Sequence, residues 1–220
     1  MSKSAIGQTI IWYFADPMCS WCWGFSSVVS RLKQHYVDRI KFALILGGLR
    51  PYTQEAISED LRKEILHHWQ QVKKMTGQEF KFEGAMEDGF VYDTEPASRA
   101  VVVVGESCPD LTFDYFTAVQ RAFYVGHKDV TQEEVLWEIL QSVVGNELLL
   151  NETEFKQQFH SQEAKQKTQA HFHKCRQFGV RSFPTMILQA EQQYHLLNSG
   201  YRAYQELLQD IDAHMGNKAN

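Results

Sequence analysis

The sequence predicts an α/β fold: a central mixed β-sheet flanked by helices, with an all-helical segment inserted between its strands. Three observations carry this. An apolar strand pattern near the N-terminus passes into a helix pattern and then into a second strand. A long block of helical periodicities follows. Strand patterns return only near the C-terminus, as a hairpin ahead of one last helix.

Thr9-Ile10-Ile11-Trp12-Tyr13-Phe14 is β-branched and aromatic, as a buried strand requires. Asp16 and Pro17 end it, because proline offers no ladder donor and aspartate favours a turn. Phe25, Val28, Val29 and Leu32 then recur at helical intervals. A second strand, 40–46, stops at Gly47-Gly48. Near Ser58 a helix begins whose apolar stripe is Leu61, Ile65, Trp69 and Val72. Residues 75–93, rich in glycine and charge, read as a loop carrying Phe80, Phe82 and Phe90 as aromatic plugs. Pro96 suits a first helical turn, with 97–106 following, and 111–125 makes another helix. Thr131-Gln132-Glu133-Glu134 has capping-box spacing ahead of Val135, Ile139, Leu140 and Val143. Asn151-Glu152-Thr153-Glu154 repeats that signal before Phe155 and Phe159, and Ser161 caps a further helix ending at Gly179. The hairpin pairs 183–188 with 194–197, and the last helix turns Tyr204, Leu207, Leu208 and Ile211 inward. This order is that of a thioredoxin-type sheet. It predicts a discontinuous thioredoxin-like domain at 7–49 and 178–216, and a helical insertion at 50–177.

The 220 residues, 44% apolar and 22% charged, suffice for a good core. A formal charge of −5 argues against a nucleic-acid partner, which calls for a basic surface. Apolar runs such as 100–104 are far too short to span a bilayer, so no membrane partner is expected. The first seven residues lack the apolar centre of a secretory signal, and the expected compartment is the cytoplasm. Only four cysteines occur, which excludes a disulfide-stapled scaffold.

Two of them, in Cys19-Ser20-Trp21-Cys22, straddle the predicted helix start, where unpaired backbone amides stabilise a negative sulfur. Two intervening residues in a helical turn bring the sulfurs together. Cys19, at the helix start, is the expected nucleophile; Cys22, a turn deeper, is the resolving thiol. A structural zinc half-site uses the same spacing but needs two further ligands. Of His171, His173 and Cys175 only the first and last share a helical face, and this trio reads instead as a helix end with cations near its negative pole. No metal is expected.

Far along the chain, Pro184 opens a predicted strand in Gly179-Val180-Arg181-Ser182-Phe183-Pro184-Thr185. Beside a CxxC pair in this strand order it resembles the cis-proline loop that faces the thiols in thioredoxin-like proteins. Such a loop presents the backbone of Phe183 to an extended substrate, and Ser20, Trp21, Phe183 and Pro184 are therefore the expected substrate contacts. Asp16 is the candidate proton relay for Cys22, although a turn aspartate beside Pro17 is the preferred reading. Trp21 is expected to be exposed between the cysteines, Trp12 and Trp23 to lie in the core. Asp93, Thr94 and Glu95 serve equally as a site wall or as a helix cap.

The segment 16–25, Asp-Pro-Met-Cys-Ser-Trp-Cys-Trp-Gly-Phe, together with 92–97, 120–124 and 179–185, resembles the DsbA family of thioredoxin-fold oxidoreductases, in its cytoplasmic FrnE-like branch. The resemblance implies a helical insertion, a redox-active CxxC and a cis-proline, with no cofactor beyond the redox disulfide and with glutathione as a candidate co-substrate. Partners would be proteins or small molecules bearing thiols or disulfides; the oligomeric state is not legible. Ser20 and Trp21 replace the Pro-His of the periplasmic oxidant, which implies a milder potential of about −200 to −270 mV. The alternative is a glutathione-dependent isomerase or transferase of the chromene-carboxylate isomerase or kappa-class type. Those relatives typically carry serine at the nucleophile position, whereas this chain has both Cys19 and Cys22. A third reading is a binding protein whose CxxC is structural.

Overall fold

In the computed structural model, residues 9–144 and 150–216 are described. The N-terminal segment read for a secretory signal, and residues 7 and 8 of the expected first domain segment, lie outside them.

The central strand is β1 (Ile10–Ala15), followed by α1 (Ser20–His35) and β2 (Lys41–Leu46). Six helices come next: α2 (Glu59–Thr76), α3 (Glu95–Ser107), α4 (Thr112–Tyr124), α5 (Glu133–Val144), α6 (Glu152–His160) and α7 (Gln162–Gln177). The chain then returns to the sheet as β3 (Thr185–Ala190) and β4 (Gln193–Ser199), and ends in α8 (Tyr204–Gly216). The strand order is β2-β1-β3-β4, with β2 parallel to β1 and β3 antiparallel to it. The sheet is mixed and thioredoxin-like.

Alternation along β1 sends Ile11, Tyr13 and Ala15 into the main core, which α1 and most of the inserted helices share. Phe14 points to the other face, where it packs with Ile45, Ile187 and Cys175. Trp12, expected in the core, is only half-buried. Its indole N–H donates to the Gln189 side chain at 2.8 Å and the Lys174 ammonium sits 3.7 Å over its ring, an arrangement that keeps the polar edge wet.

Local signals account for most helix starts. Ser58 accepts from the Leu61 amide, Asn151 and Glu154 form a reciprocal capping box, and Ser161 accepts from the Ala164 amide. Thr131 does not cap α5. Its hydroxyl and amide both donate to the Asp129 carboxylate, at 2.6 and 3.0 Å, so an aspartate turn takes the amide that a capping box would have given to Glu134 and uses the hydroxyl as a donor instead of an acceptor. The loop after α2 is held by packed rings, with Phe80 tilted 5.5 Å from Trp69 and Phe90 stacked 5.9 Å from Phe123.

The expectation for His171 is also corrected. It is not a cation: burial lowers its pKa to about 4, and its Nδ1 accepts the Leu46 amide at 3.1 Å. Cys175, one turn on, donates to the Leu46 carbonyl at 3.4 Å. Together they satisfy both outward-facing groups at the end of an edge strand, which explains why a neutral imidazole and a thiol sit four residues apart there. On the opposite edge, a bulge in β4 makes Ile187 pair with Leu196 while Met186 pairs with Asn198. The extra residue, Leu197, turns into the core and leaves Leu196 64% exposed.

Gly24 lets α1 and α2 touch: a Cβ there would stand 2.4 Å from Val72 Cγ1. Gly24→Ala should therefore lower stability by about 1–3 kcal/mol through overpacking, despite alanine's better helix propensity. Adding Val72→Ala should make the cost smaller than the sum of the single changes. Urea denaturation of the four proteins of this cycle checks it; strict additivity would mean that the contact carries no strain.

Candidate active site

The turn after β1 is built by one carboxylate. Asp16 is wholly buried, and its Oδ1 accepts the Met18 amide at 2.9 Å while its own carbonyl accepts the Cys19 amide at 3.1 Å. Its Oδ2 accepts the Leu49 amide at 2.7 Å, fastening the loop after β2 to the same turn. Burial raises the Asp16 pKa to about 6, offset in part by the Leu49 and Met18 amides. The aspartate is thus the turn residue that was expected. It also stands close enough to Cys22 for their charges to interact.

Cys19 occupies the N-cap of α1 with extended backbone and no side-chain cap. Its carbonyl accepts the amides of Cys22 at 2.9 Å and Trp23 at 3.1 Å, so the first turn closes directly beneath it. Cys19 is 6% exposed and Cys22 wholly buried, and both are free thiols. Burial first, and the neighbouring Cys19 thiol second, push the Cys22 pKa well above its ordinary value. The deeper sulfur therefore holds its proton while the pair is reduced.

The second half of the site arrives from residue 183. Phe14 pairs with Thr185, so the chain leaves β1 and enters β3 at the same end of the sheet. The Cys19 Sγ lies 3.6 Å from the Phe183 carbonyl, to which it donates, and the Phe183–Pro184 peptide bond is cis. Sequence positions 164 residues apart thus meet. Ser20 and Trp21 are half-buried beside the thiols; Trp21 packs partly on the core instead of standing free. Trp23 is buried, and its indole donates to the Glu79 carbonyl at 2.8 Å.

Three buried hydroxyls around the dithiol were not foreseen. Tyr92 donates to the Met18 carbonyl, and Tyr13 on β1 and Tyr124 on α4 are wholly buried close enough to the cysteines for their charges to interact. Burial first, then neighbouring negative groups including the sulfurs, raise the pKa of each, and all three stay neutral. In the sequence they look like core aromatics, because only the three-dimensional packing places their polar ends. Asp93 and Thr94 fasten the loop after β2 to the start of α3, where Thr94 holds the N-cap position without a side-chain cap. Asp93 Oδ1 accepts the amides of Tyr52 and Glu95, and Thr94 Oγ1 accepts the Arg50 amide at 3.1 Å. Among the described residues, no cluster of three or more His, Cys, Asp or Glu side chains is arranged to hold a metal ion. No helix among them is long and apolar enough to cross a membrane.

A dithiol at a helix start, facing a cis-proline loop on a mixed sheet, defines the class of thioredoxin-fold proteins. The thioredoxin family model matches residues 12–209. A protein from Nitrosomonas europaea, described as a candidate protein disulfide isomerase, is 39% identical and superposes with a TM-score of 0.87 over 96% of this chain and 99% of its own. The cytosolic disulfide reductase DsbM of Pseudomonas aeruginosa is 23% identical, with a TM-score of 0.75 over 94% and 98% of the two chains. The ClpXP adapter protein SpxH of Bacillus subtilis is 24% identical over 181 residues, 80% of this chain and 56% of that protein. With the same adapter from Halalkalibacterium halodurans the share is 57%, so the chain spans little more than half the length of these curated relatives. The chain belongs to the thioredoxin family.

The raised pKa of Asp16 has a direct consequence for stability. Its folded-state value of about 6 exceeds the unfolded carboxylate value, so the native protein takes up a proton between roughly pH 4 and pH 6. Its contribution to stability is complete below that window and is lost as pH rises through it, by roughly 3 kcal/mol. Asp16→Asn should gain stability relative to the wild type as pH goes from 4.5 to 7. Urea midpoints at the two pH values measure this; a difference between the proteins that does not change with pH would contradict it.

Proposed function

We propose that the protein exchanges disulfides through Cys19 and Cys22, with Cys19 the attacking sulfur and Cys22 the resolving one. The observation that carries this reading is the disposition of the pair. One cysteine holds the N-cap position of α1, 6% exposed and with its sulfur 3.6 Å from the Phe183 carbonyl, and the other is wholly buried a turn below. In the reducing direction, the Cys19 thiolate attacks one sulfur of a substrate disulfide. A Cys19–substrate bond forms, the substrate S–S bond breaks, and one substrate thiolate leaves. Cys22 then gives up its proton, its sulfur attacks Cys19, and the second substrate thiolate leaves. Two electrons have passed to the substrate, and the protein holds a Cys19–Cys22 disulfide.

Asp16 takes the Cys22 proton in this scheme: it is near, buried, and has a pKa of about 6, so it can both accept and release a proton near neutrality. Ser20, Trp21, Phe183 and Pro184 border Cys19 and serve as the substrate contacts. The substrate is a thiol- or disulfide-bearing protein or small molecule, and glutathione is the candidate co-substrate. In support, DsbM has also been solved with glutathione, and the Bacillus relatives are named as protein adapters. We place the activity in the cytoplasm, as for DsbM. The isomerase and transferase alternative needs one glutathione-binding residue and leaves the second sulfur without work.

Cys19→Ser should abolish insulin reduction, and Cys22→Ala should accumulate a mixed disulfide visible by mass spectrometry. Full activity in Cys19→Ser would remove the mechanism. With no cationic side chain between the cysteines, the Cys19/Cys22 potential is expected at about −200 to −270 mV. Equilibration with glutathione buffers measures it, and a value near −120 mV would contradict the reading.

A further inference from the structure

We infer that the loop after β2, residues 47–53, is a second wall of the substrate groove, in which Arg50 selects thiols and disulfides that carry a carboxylate. This rests on the exchange reading above and adds the substrate class. The loop meets both halves of the site. Gly47 lies under the Phe183 ring, where a Cβ would stand 2.2 Å from Cζ. The next residue but one, Leu49, is held by its amide to Asp16. Phe183 and Asp16 flank Cys19, so the stretch between Gly47 and Leu49 runs alongside the reactive sulfur.

Arg50 is fixed by its backbone on both sides. Its amide donates to Thr94 Oγ1 at 3.1 Å, and its carbonyl accepts the Thr94 amide at 3.2 Å. The guanidinium carbon stands 5.9 Å from the centre of the Tyr92 ring, whose hydroxyl donates to the carbonyl of Met18, the residue before Cys19. Arg62 and Arg99, in the helical insertion, are paired with Asp88 and Glu95. Among the described residues Arg50 has no carboxylate within ion-pair distance; its charge faces the aromatic ring alone. A half-buried, planar, permanently charged fork with free donors is suited to a carboxylate from outside.

Apolar contact lies beside the cation. Leu49 is 41% exposed and Tyr52 52% exposed. Tyr52 holds a φ of +66°, a region that bulky side chains rarely adopt, and its amide is tied to Asp93 at 2.8 Å. The tie keeps its ring outward, edge-on to Phe172 at 6.5 Å. A ligand pairing with Arg50 therefore finds apolar surface on either side.

The test compares two disulfides that differ in charge. Reduced protein is mixed with excess glutathione disulfide, which is rich in carboxylates, or with bis(2-hydroxyethyl) disulfide, which has none. The second-order rate constant for oxidation of the Cys19/Cys22 pair is read in each case. The ratio of the two constants should fall about tenfold in Arg50→Gln, with partial recovery in Arg50→Lys. In the wild type, raising the salt concentration should lower the glutathione constant and leave the other nearly level; this arm stands even if the variants fold poorly. A ratio that stays within twofold in Arg50→Gln, or constants equally insensitive to salt, would overturn the inference while leaving the exchange chemistry in place. A wild-type protein inert to both disulfides would overturn the exchange reading itself.

Discussion

The register between β1 and β3 governs everything that the site contains. Phe14 stands opposite Thr185, and the antiparallel pairing then brings the exit of one strand and the entrance of the other to the same end of the sheet. The turn at Asp16 carries Cys19 from one side; Phe183 and Pro184 approach from the other. A slip by one residue would move Tyr13 and Ile11 to the opposite face and exchange the large core for the small one. Register is fixed because the two faces are so unequal: one buries α1 and most of the insertion, the other only α7 and a few aromatic rings.

Polarity is buried around the thiols in a graded way. Asp16 satisfies two amides that would otherwise be left without partners in the turn, and it does so from inside the core. The cost is a carboxylate whose ionisation is opposed by its surroundings. The Tyr92 hydroxyl supplies a neutral donor to the Met18 carbonyl where a further charge would be expensive. The deeper sulfur keeps its proton for the same reason, whereas Cys19 stands at the start of α1 and retains a little exposure. The chemical difference between the cysteines thus follows from depth and from the place of each on the first helical turn, not from the residues between them.

Much of this was legible in the sequence, and the limits have physical causes. The strand-turn-helix around Cys19 could be read because strand period, Pro17 and helix period are all local. Asn151 and Ser161 were legible as caps, and the helix start near Ser58 was legible, for the same reason. Thr131 misled because Asp129, two residues earlier, engages both its amide and its hydroxyl, a contest that spacing alone cannot decide. His171 and Cys175 were seen as sharing a face, but their duty depends on the Leu46 backbone, which lies 125 positions away for the histidine. The bulge that buries Leu197 has no glycine or proline to announce it. Pro184 was found because its place in the element order, and not its neighbours, gives it meaning.

The central claim is that the two sulfurs differ in access, and brief alkylation of the reduced native protein tests it most directly. Limited iodoacetamide treatment followed by peptide mapping should find the label on Cys19 and leave Cys22 unmodified until the protein is denatured. Label on Cys22 in the native protein, or equal label on both, would contradict the account.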